Sequence, residues 1–205
     1  MKSQYQRGQY PLSKDEVINI INSTDNFRDR CIIKSLYYGG MRVNECVTLQ
    51  KDRIDLNRKI ISILGKGDKF RTIPFLESGY YADIKHYLTL VKDNILFPMS
   101  TRNVQKMLIK YSERAGIKNP CPFATHVNPH IFRHSIARHL KDDNYPLEFI
   151  RNFMGHESIK TTMDVYGNIT IHDMQKLIFR KTNDTQLVPR VEGNVPEVID
   201  YSTRT

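Results

Sequence analysis

His130 and Arg133 stand three residues apart in the segment Asn128-Pro129-His130-Ile131-Phe132-Arg133-His134. Pro129 suits the first position of a helix, so the spacing puts an imidazole and a guanidinium on one helix face, near a helix start where an anion is favoured. Ile131, Phe132, Ile136 and Ala137 are left to pack the remaining sides. A second basic patch runs Phe153-Met154-Gly155-His156-Glu157-Ser158-Ile159-Lys160-Thr161-Thr162, with Tyr166 ten positions after His156. Gly155 is a helix C-cap candidate and Ser158 an N-cap candidate, which sets His156 in a tight turn between two helices. Taken singly, these groups fit a solvated helix face or a packing aromatic equally well. A metal reading draws on His126, His130, His134 and His139, of which 130 and 134 have the i, i+4 spacing of a zinc pair. That reading lacks a third ligand, and Arg133 between the pair repels a cation.

The elements that must position these groups are legible in the periodicity. Ser13-Lys14-Asp15-Glu16 is a capping-box pattern ahead of Val17, Ile18, Ile20 and Ile21, so a first helix starts there. A second apolar-periodic run from about 26 to 38 ends at Gly39-Gly40, and residues 41 to 47 open a short helix that carries Arg42 just after the glycine break. Three short segments rich in β-branched residues follow, at 53–56, 59–64 and 71–74. Asn57-Arg58 and Gly65-Lys66-Gly67-Asp68 supply the turns of a small antiparallel meander. Helices are expected afterwards at about 78 to 91, 101 to 115, 129 to 142, 146 to 154, 158 to 166 and 170 to 180, punctuated by Pro120, Pro122, Pro146 and Gly155. The fold class is therefore mainly α, with one three-stranded antiparallel sheet inserted in the N-terminal third.

Composition narrows the function. The 205 residues carry 31 Lys and Arg against 22 Asp and Glu, a formal net charge of +9. Residues 181 to 205 are close to neutral, so the positive excess lies in the body, as expected of a polyanion-binding domain with a trailing arm. The division is an N-terminal extension or linker remnant at 1–12, a basic body at 13–180 and a polar tail, flexible or docking, at 181–205. No apolar stretch approaches the roughly 18 residues needed to span a bilayer, and the N-terminus lacks a secretory h-region. Three widely spaced cysteines, Cys31, Cys46 and Cys121, suit a reducing compartment.

In order and context, these segments closely resemble the tyrosine recombinase (phage integrase) family over about residues 10 to 180. The segments are Gly39-Gly40-Met41-Arg42-Val43-Asn44-Glu45, the hairpin Gly65-Lys66-Gly67-Asp68-Lys69-Phe70-Arg71, His130-x-x-Arg133, and Gly155-His156 with Thr161-Thr162 and Tyr166. The resemblance implies the family's helical fold with a three-stranded insert, and an enzyme that recombines DNA site-specifically through a 3′-phosphotyrosyl intermediate. Arg42 and Arg133 are similar to the arginines that clamp the scissile phosphate, for which a planar guanidinium fork is suited. Lys66 resembles the lysine that protonates the leaving 5′-oxygen. Its neighbour Lys69 is the competing candidate, and Lys66 aligns with the family's Gly-Lys-Gly. His130 resembles the acid/base histidine, His156 the histidine that bonds the phosphate in the transition state, and Glu45 the carboxylate that orients the basic groups. Tyr166 matches the nucleophile, a phenol that needs clustered positive charge to react as phenolate.

The resemblance also implies no cofactor, neither ATP nor metal. Its implied partners are double-stranded DNA, other copies of the chain in a homotetramer on two recombination sites, with a monomer in the absence of DNA, and an accessory DNA-bending factor. The setting is the cytoplasm of a prokaryote, with nucleoid association or a mobile-element context. DNA-contact candidates are Lys69 and Arg71 by the hairpin, and Arg102, Asn103 and Lys106 in the first turns of helix 101–115, which fits either the major groove or a solvated face. Two departures stand out. Many members read Tyr-x-His where Gly167-Asn168 follows here, and members usually carry an upstream core-binding domain where only about a dozen residues precede the capping box. The alternatives are a fragment, a short form similar to fimbrial phase-switch invertases, a type IB topoisomerase or telomere-resolving strand transferase, and a non-catalytic DNA-binding relic.

Overall fold

The computed structural model describes residues 10–65, 70–122 and 124–155, all within one unit, Met1–Asn168. Helix α1 (Lys14–Asn22) begins at Ser13, whose hydroxyl accepts from Glu16 N at 3.1 Å while the Glu16 carboxylate accepts from Ser13 N at 2.7 Å. The reciprocal cap satisfies two orphan donors, a device worth about 1 kcal/mol. Val17, Ile20 and Ile21 turn inward from it.

Helix α2 (Phe27–Tyr37) is the centre of the domain and packs against α1, the short α3 (Val43–Val47), α4 (Ser78–Leu90) and α6 (Pro129–Asp142). Its sequence explains this. Cys31, Ile32, Ile33, Ser35, Leu36 and Tyr37 are all buried, so the apolar surface runs nearly all the way round, as required of a helix with neighbours on every side. Its two buried polar residues are both bonded: Asp29 accepts from the Tyr111 hydroxyl at 3.0 Å, and Ser35 donates to the Cys31 carbonyl at 2.8 Å and lies 3.1 Å from the Tyr80 hydroxyl. Helices α5 (Thr101–Arg114) and α7 (Leu147–Met154) complete the helical set among the described residues. None of the described helices is long and apolar enough to cross a membrane.

The sheet is a meander in the order β1 (Ile54–Asp55), β2 (Ile60–Leu64), β3 (Phe70–Pro74), antiparallel throughout. The register pairs Asp55 with Ile60, as a turn at Asn57-Arg58 requires, but the ladder stops one pair short and 56–59 together form the turn. The physical reason is visible in the loop: the Asp55 carboxylate caps Arg58 N at 2.9 Å, and Lys59 closes it at φ 54°. Strand alternation sends Ile61, Ile63 and Ile73 into the core. Arg71 lies opposite Ile63 and two residues from Ile73, so it shares their inward face.

The helix expectations over 78–154 hold to within a residue or so at each end. The expected helices at 158–166 and 170–180, and the proposed division at 180, lie outside the described residues.

Candidate active site

The chain leaves α2 through Gly39-Gly40. Gly40 has φ 53°, and a Cβ there would stand 2.8 Å from Phe153 Cε1, so the left-handed turn and the approach of α7 both demand glycine. Arg42 follows as the N-cap of α3, one position ahead of the helix proper. Its backbone N donates to Glu45 Oε2 at 2.7 Å, and its NH1 donates to Glu45 Oε1 at 2.8 Å. Its side chain remains 43% exposed.

Glu45 is the hub. Its side chain is 6% exposed, and besides Arg42 it accepts a two-pronged bond from Arg71, NH1 to Oε1 at 2.7 Å and NH2 to Oε2 at 2.8 Å. Arg133 NH1 stands 3.9 Å away. Burial pushes the Glu45 carboxyl up, but the Arg71 fork, the Arg42 N–H and the Arg133 charge overcome this and hold it at about 2. One carboxylate therefore faces three guanidiniums, and the cluster keeps a net positive charge.

The other end of the cluster is the C-terminus of α7. That helix stops at Gly155, in the left-handed conformation at φ 60°, and its last carbonyls face the two buried arginines. Arg71 Nε donates to the Phe153 carbonyl at 3.1 Å, and Arg133 NH2 donates to the Met154 carbonyl. Arg133 NH1 donates to the Gly40 carbonyl. Cations at a helix C-terminus satisfy orphan acceptors and oppose the negative end of the helix dipole. Arg133 thus ties the Gly39-Gly40 turn to α7, while Arg71 ties β3 to both α3 and α7.

The structure brings together Arg42, Glu45, Arg71 and Arg133. His130 lies in the first turn of α6, where Asn128 Oδ1 accepts from His130 N at 3.0 Å and from Ile131 N at 3.3 Å. The expectation that His130 and Arg133 share a face is corrected in depth: His130 is exposed at the helix mouth, whereas Arg133, one turn on, is buried against α3 and α7. Lys66, Lys69, His156 and Tyr166 lie outside the described residues. Arg102, Asn103 and Lys106 are exposed on α5, behind the Ser100 cap, and take no part in the cluster. Arg71, read from sequence as a DNA contact, turns inward. The signal that could have placed it is its spacing from Ile73, which assigns it to the core face of β3.

Among the described residues no group of His, Cys, Asp and Glu is arranged to hold a metal ion. His139, part of the zinc alternative, lies buried with Nδ1 2.7 Å from the Tyr37 hydroxyl. What the arginine cluster can do chemically is bind a tetrahedral oxyanion: guanidiniums donate in planar pairs and do not lose their charge.

The phage integrase family model matches residues 11–172. Among relatives, tyrosine recombinase XerA of Thermococcus kodakarensis is 34% identical over 181 residues, covering 80% of this chain and 60% of that protein. The crystal structure of XerA recombinase superposes with a TM-score of 0.67 at 25% identity, covering 83% of this chain and 64% of the other. The XerH site-specific recombinase bound to difH substrate, a pre-cleavage complex, gives a TM-score of 0.68 at 23% identity over 82% of this chain and 53% of that one, a likeness of fold. The chain spans about 60% of the length of such relatives. With a family match over most of its length, a fold shared with solved recombinases, and the family's Arg-x-x-Glu and His-x-x-Arg segments joined through one carboxylate, the chain belongs to the phage integrase family.

Proposed function

We propose that this chain carries the strand-cleaving domain of a site-specific DNA recombinase that works through a phosphotyrosine. The observation that carries the reading is the junction of Arg42, Arg133 and Glu45: a cluster of net positive charge, largely desolvated, with one guanidinium open to solvent. In such surroundings a fixed cation stabilises developing negative charge far better than in water. Arg42 and Arg133 hold the non-bridging oxygens of the scissile phosphate. The Tyr166 oxygen attacks phosphorus as its proton passes to His130, the bond to the 5′-oxygen breaks, and Lys66 protonates that oxygen as it leaves. His156 bonds the phosphoryl oxygen in the transition state. The product is a 3′-phosphotyrosyl ester that a 5′-hydroxyl of another strand reopens, with neither metal nor ATP consumed.

Double-stranded DNA is the partner, and two sites are brought together in a homotetramer, with or without a DNA-bending protein. Lys69, Arg102, Asn103 and Lys106 contact the duplex, chiefly at phosphates. Residues 13–180 form the catalytic domain, between an extension at 1–12 and a tail at 181–205, in the cytoplasm at the nucleoid. The relatives named tyrosine recombinase and the likeness to a recombinase bound to its DNA substrate support this reading.

The test is a covalent adduct. The full chain, with EDTA present, is incubated with nicked duplex carrying the sequence that flanks its own gene, and the products are run on a denaturing gel. An adduct from the native chain and none from Tyr166→Phe is expected. Binding without any adduct from either protein would overturn the proposal.

A further inference from the structure

We infer that Arg71 is a positioning residue of strand cleavage, acting through Glu45 to hold the Arg42 guanidinium available to the phosphate. The inference rests on the recombinase reading above. The geometry separates Arg71 from a DNA contact: its side chain is 11% exposed, and each of its three guanidinium nitrogens is engaged inside the protein. Two of them meet both oxygens of Glu45, and the third takes the Phe153 carbonyl.

The consequence falls on Arg42. Glu45 is a buried carboxylate, and a buried carboxylate short of donors draws in whatever cation can reach it. With the Arg71 fork on both oxygens, Glu45 needs only one side-chain nitrogen of Arg42, NH1, at 2.8 Å, and Arg42 stays 43% exposed. Without that fork, Arg42 is the nearest flexible cation and closes over the carboxylate, leaving the surface where a phosphate is met.

The same side chain also braces the end of α7 at Gly155. A Cβ on Gly155 would stand 2.7 Å from Arg71 Cδ and 3.3 Å from Nε, so the left-handed end of α7 rests directly on Arg71. Three segments, the Arg-x-x-Glu helix, the strand β3 and the end of α7 at Gly155, therefore meet at one side chain. A lysine cannot replace it, because a single ammonium does not reach both carboxylate oxygens and the Phe153 carbonyl in the same plane.

The test measures adduct formation in single turnover at saturating nicked duplex for the native chain, Arg71→Lys, Arg71→Ala, Glu45→Gln and the Arg71→Ala/Glu45→Gln double variant. DNA affinity is measured across a salt series alongside. Arg71→Ala is expected to slow the saturated rate by about 100-fold and Arg71→Lys by about 10-fold, the range for groups that orient reacting side chains. DNA affinity and its salt slope should stay unchanged. The double variant should be no slower than the slower single, because both changes break the same link. Arg71→Lys keeps the test valid where Arg71→Ala does not fold. The inference fails if the two costs multiply, or if the saturated rate is unchanged while affinity drops with a salt slope smaller by about one phosphate. A native chain that forms no Tyr166-dependent adduct overturns the recombinase reading, and the assignment of Arg71 with it. A native adduct with multiplicative costs overturns Arg71 alone.

Discussion

Glu45 and Asp25 each face more than one cation, and they do opposite things. Glu45 joins Arg42, Arg71 and Arg133 with 6% of its side chain exposed, whereas Asp25 joins Lys110 at 3.2 Å and Arg114 at 2.8 Å with 49% exposed. Asp25 also lies 2.5 Å from the Tyr111 hydroxyl, and together these contacts pin the loop between α1 and α2 to α5. The arithmetic of charge is similar in the two places, yet the surroundings differ. Around Asp25 water screens every pair, so the excess positive charge is open to solvent and each bond is a weak staple. Around Glu45 the carboxylate, Arg71 and Arg133 are desolvated, and the surplus positive charge persists as a field aimed at the one open side, where Arg42 emerges. On the proposed reading, what fits a cation cluster to a phosphate is burial on three sides, not the number of arginines.

The contrast can be broken most sharply at Glu45. Glu45→Gln removes a carboxylate shared by three guanidiniums and should cost about 3 kcal/mol, read from urea unfolding at neutral pH. The pH dependence has a definite sign. Because the folded protein holds this carboxyl at about 2, against 4.5 ordinarily, the stabilisation is complete above about pH 4.5 and disappears as pH falls toward 2. The Gln variant should lack that part of the acid slope, and equal slopes in the two proteins would show that the cluster contributes nothing.

Gly155→Ala comes next. It places a methyl against Arg71 at a left-handed position, so a loss of about 1–2 kcal/mol is expected, with a larger loss in adduct rate than a helix end remote from the cluster would show. Preserved cleavage in a destabilised variant would uncouple the α7 terminus from the arginines.

Asp25→Asn should have the smallest effect. A slight fall in melting temperature at low salt, vanishing by about 0.5 M salt, is expected, with cleavage untouched. A fall comparable to that of Glu45→Gln would erase the distinction between the two clusters.

Much of this was legible in the chain because the signals are local. Ser13 with Glu16, Pro129 and Gly155 announce helix ends through capping and backbone preferences that reach no further than about four residues. Arg42, Glu45 and Arg133 were legible for a different reason, as parts of short motifs. What spacing could not supply is the partner of each. The Arg71 bond to Glu45 crosses 26 residues and the Arg133 bond to Gly40 crosses 93, and no local pattern encodes such pairings. The depth of Arg133 relative to His130 was missed because an i, i+3 spacing fixes direction around a helix but says nothing of what stands opposite. The turn at Asn57-Arg58 extends over 56–59, an extent the sequence did not signal because Asn-Arg carries no strong turn signature and the capping comes from Asp55 instead.

The burial of α2 and α3 has a practical corollary in thiol chemistry. Cys31 and Cys46 sit inside the core, and burial lifts the Cys31 thiol to about 12 and raises that of Cys46 as well, so neither offers a thiolate near neutrality. Cys121, partly exposed in the connection between α5 and α6, is the third and last cysteine of the sequence. The native chain thus carries its own single-site handle for a fluorophore or spin label, and the other two thiols serve as silent reporters that react only when the helical core opens.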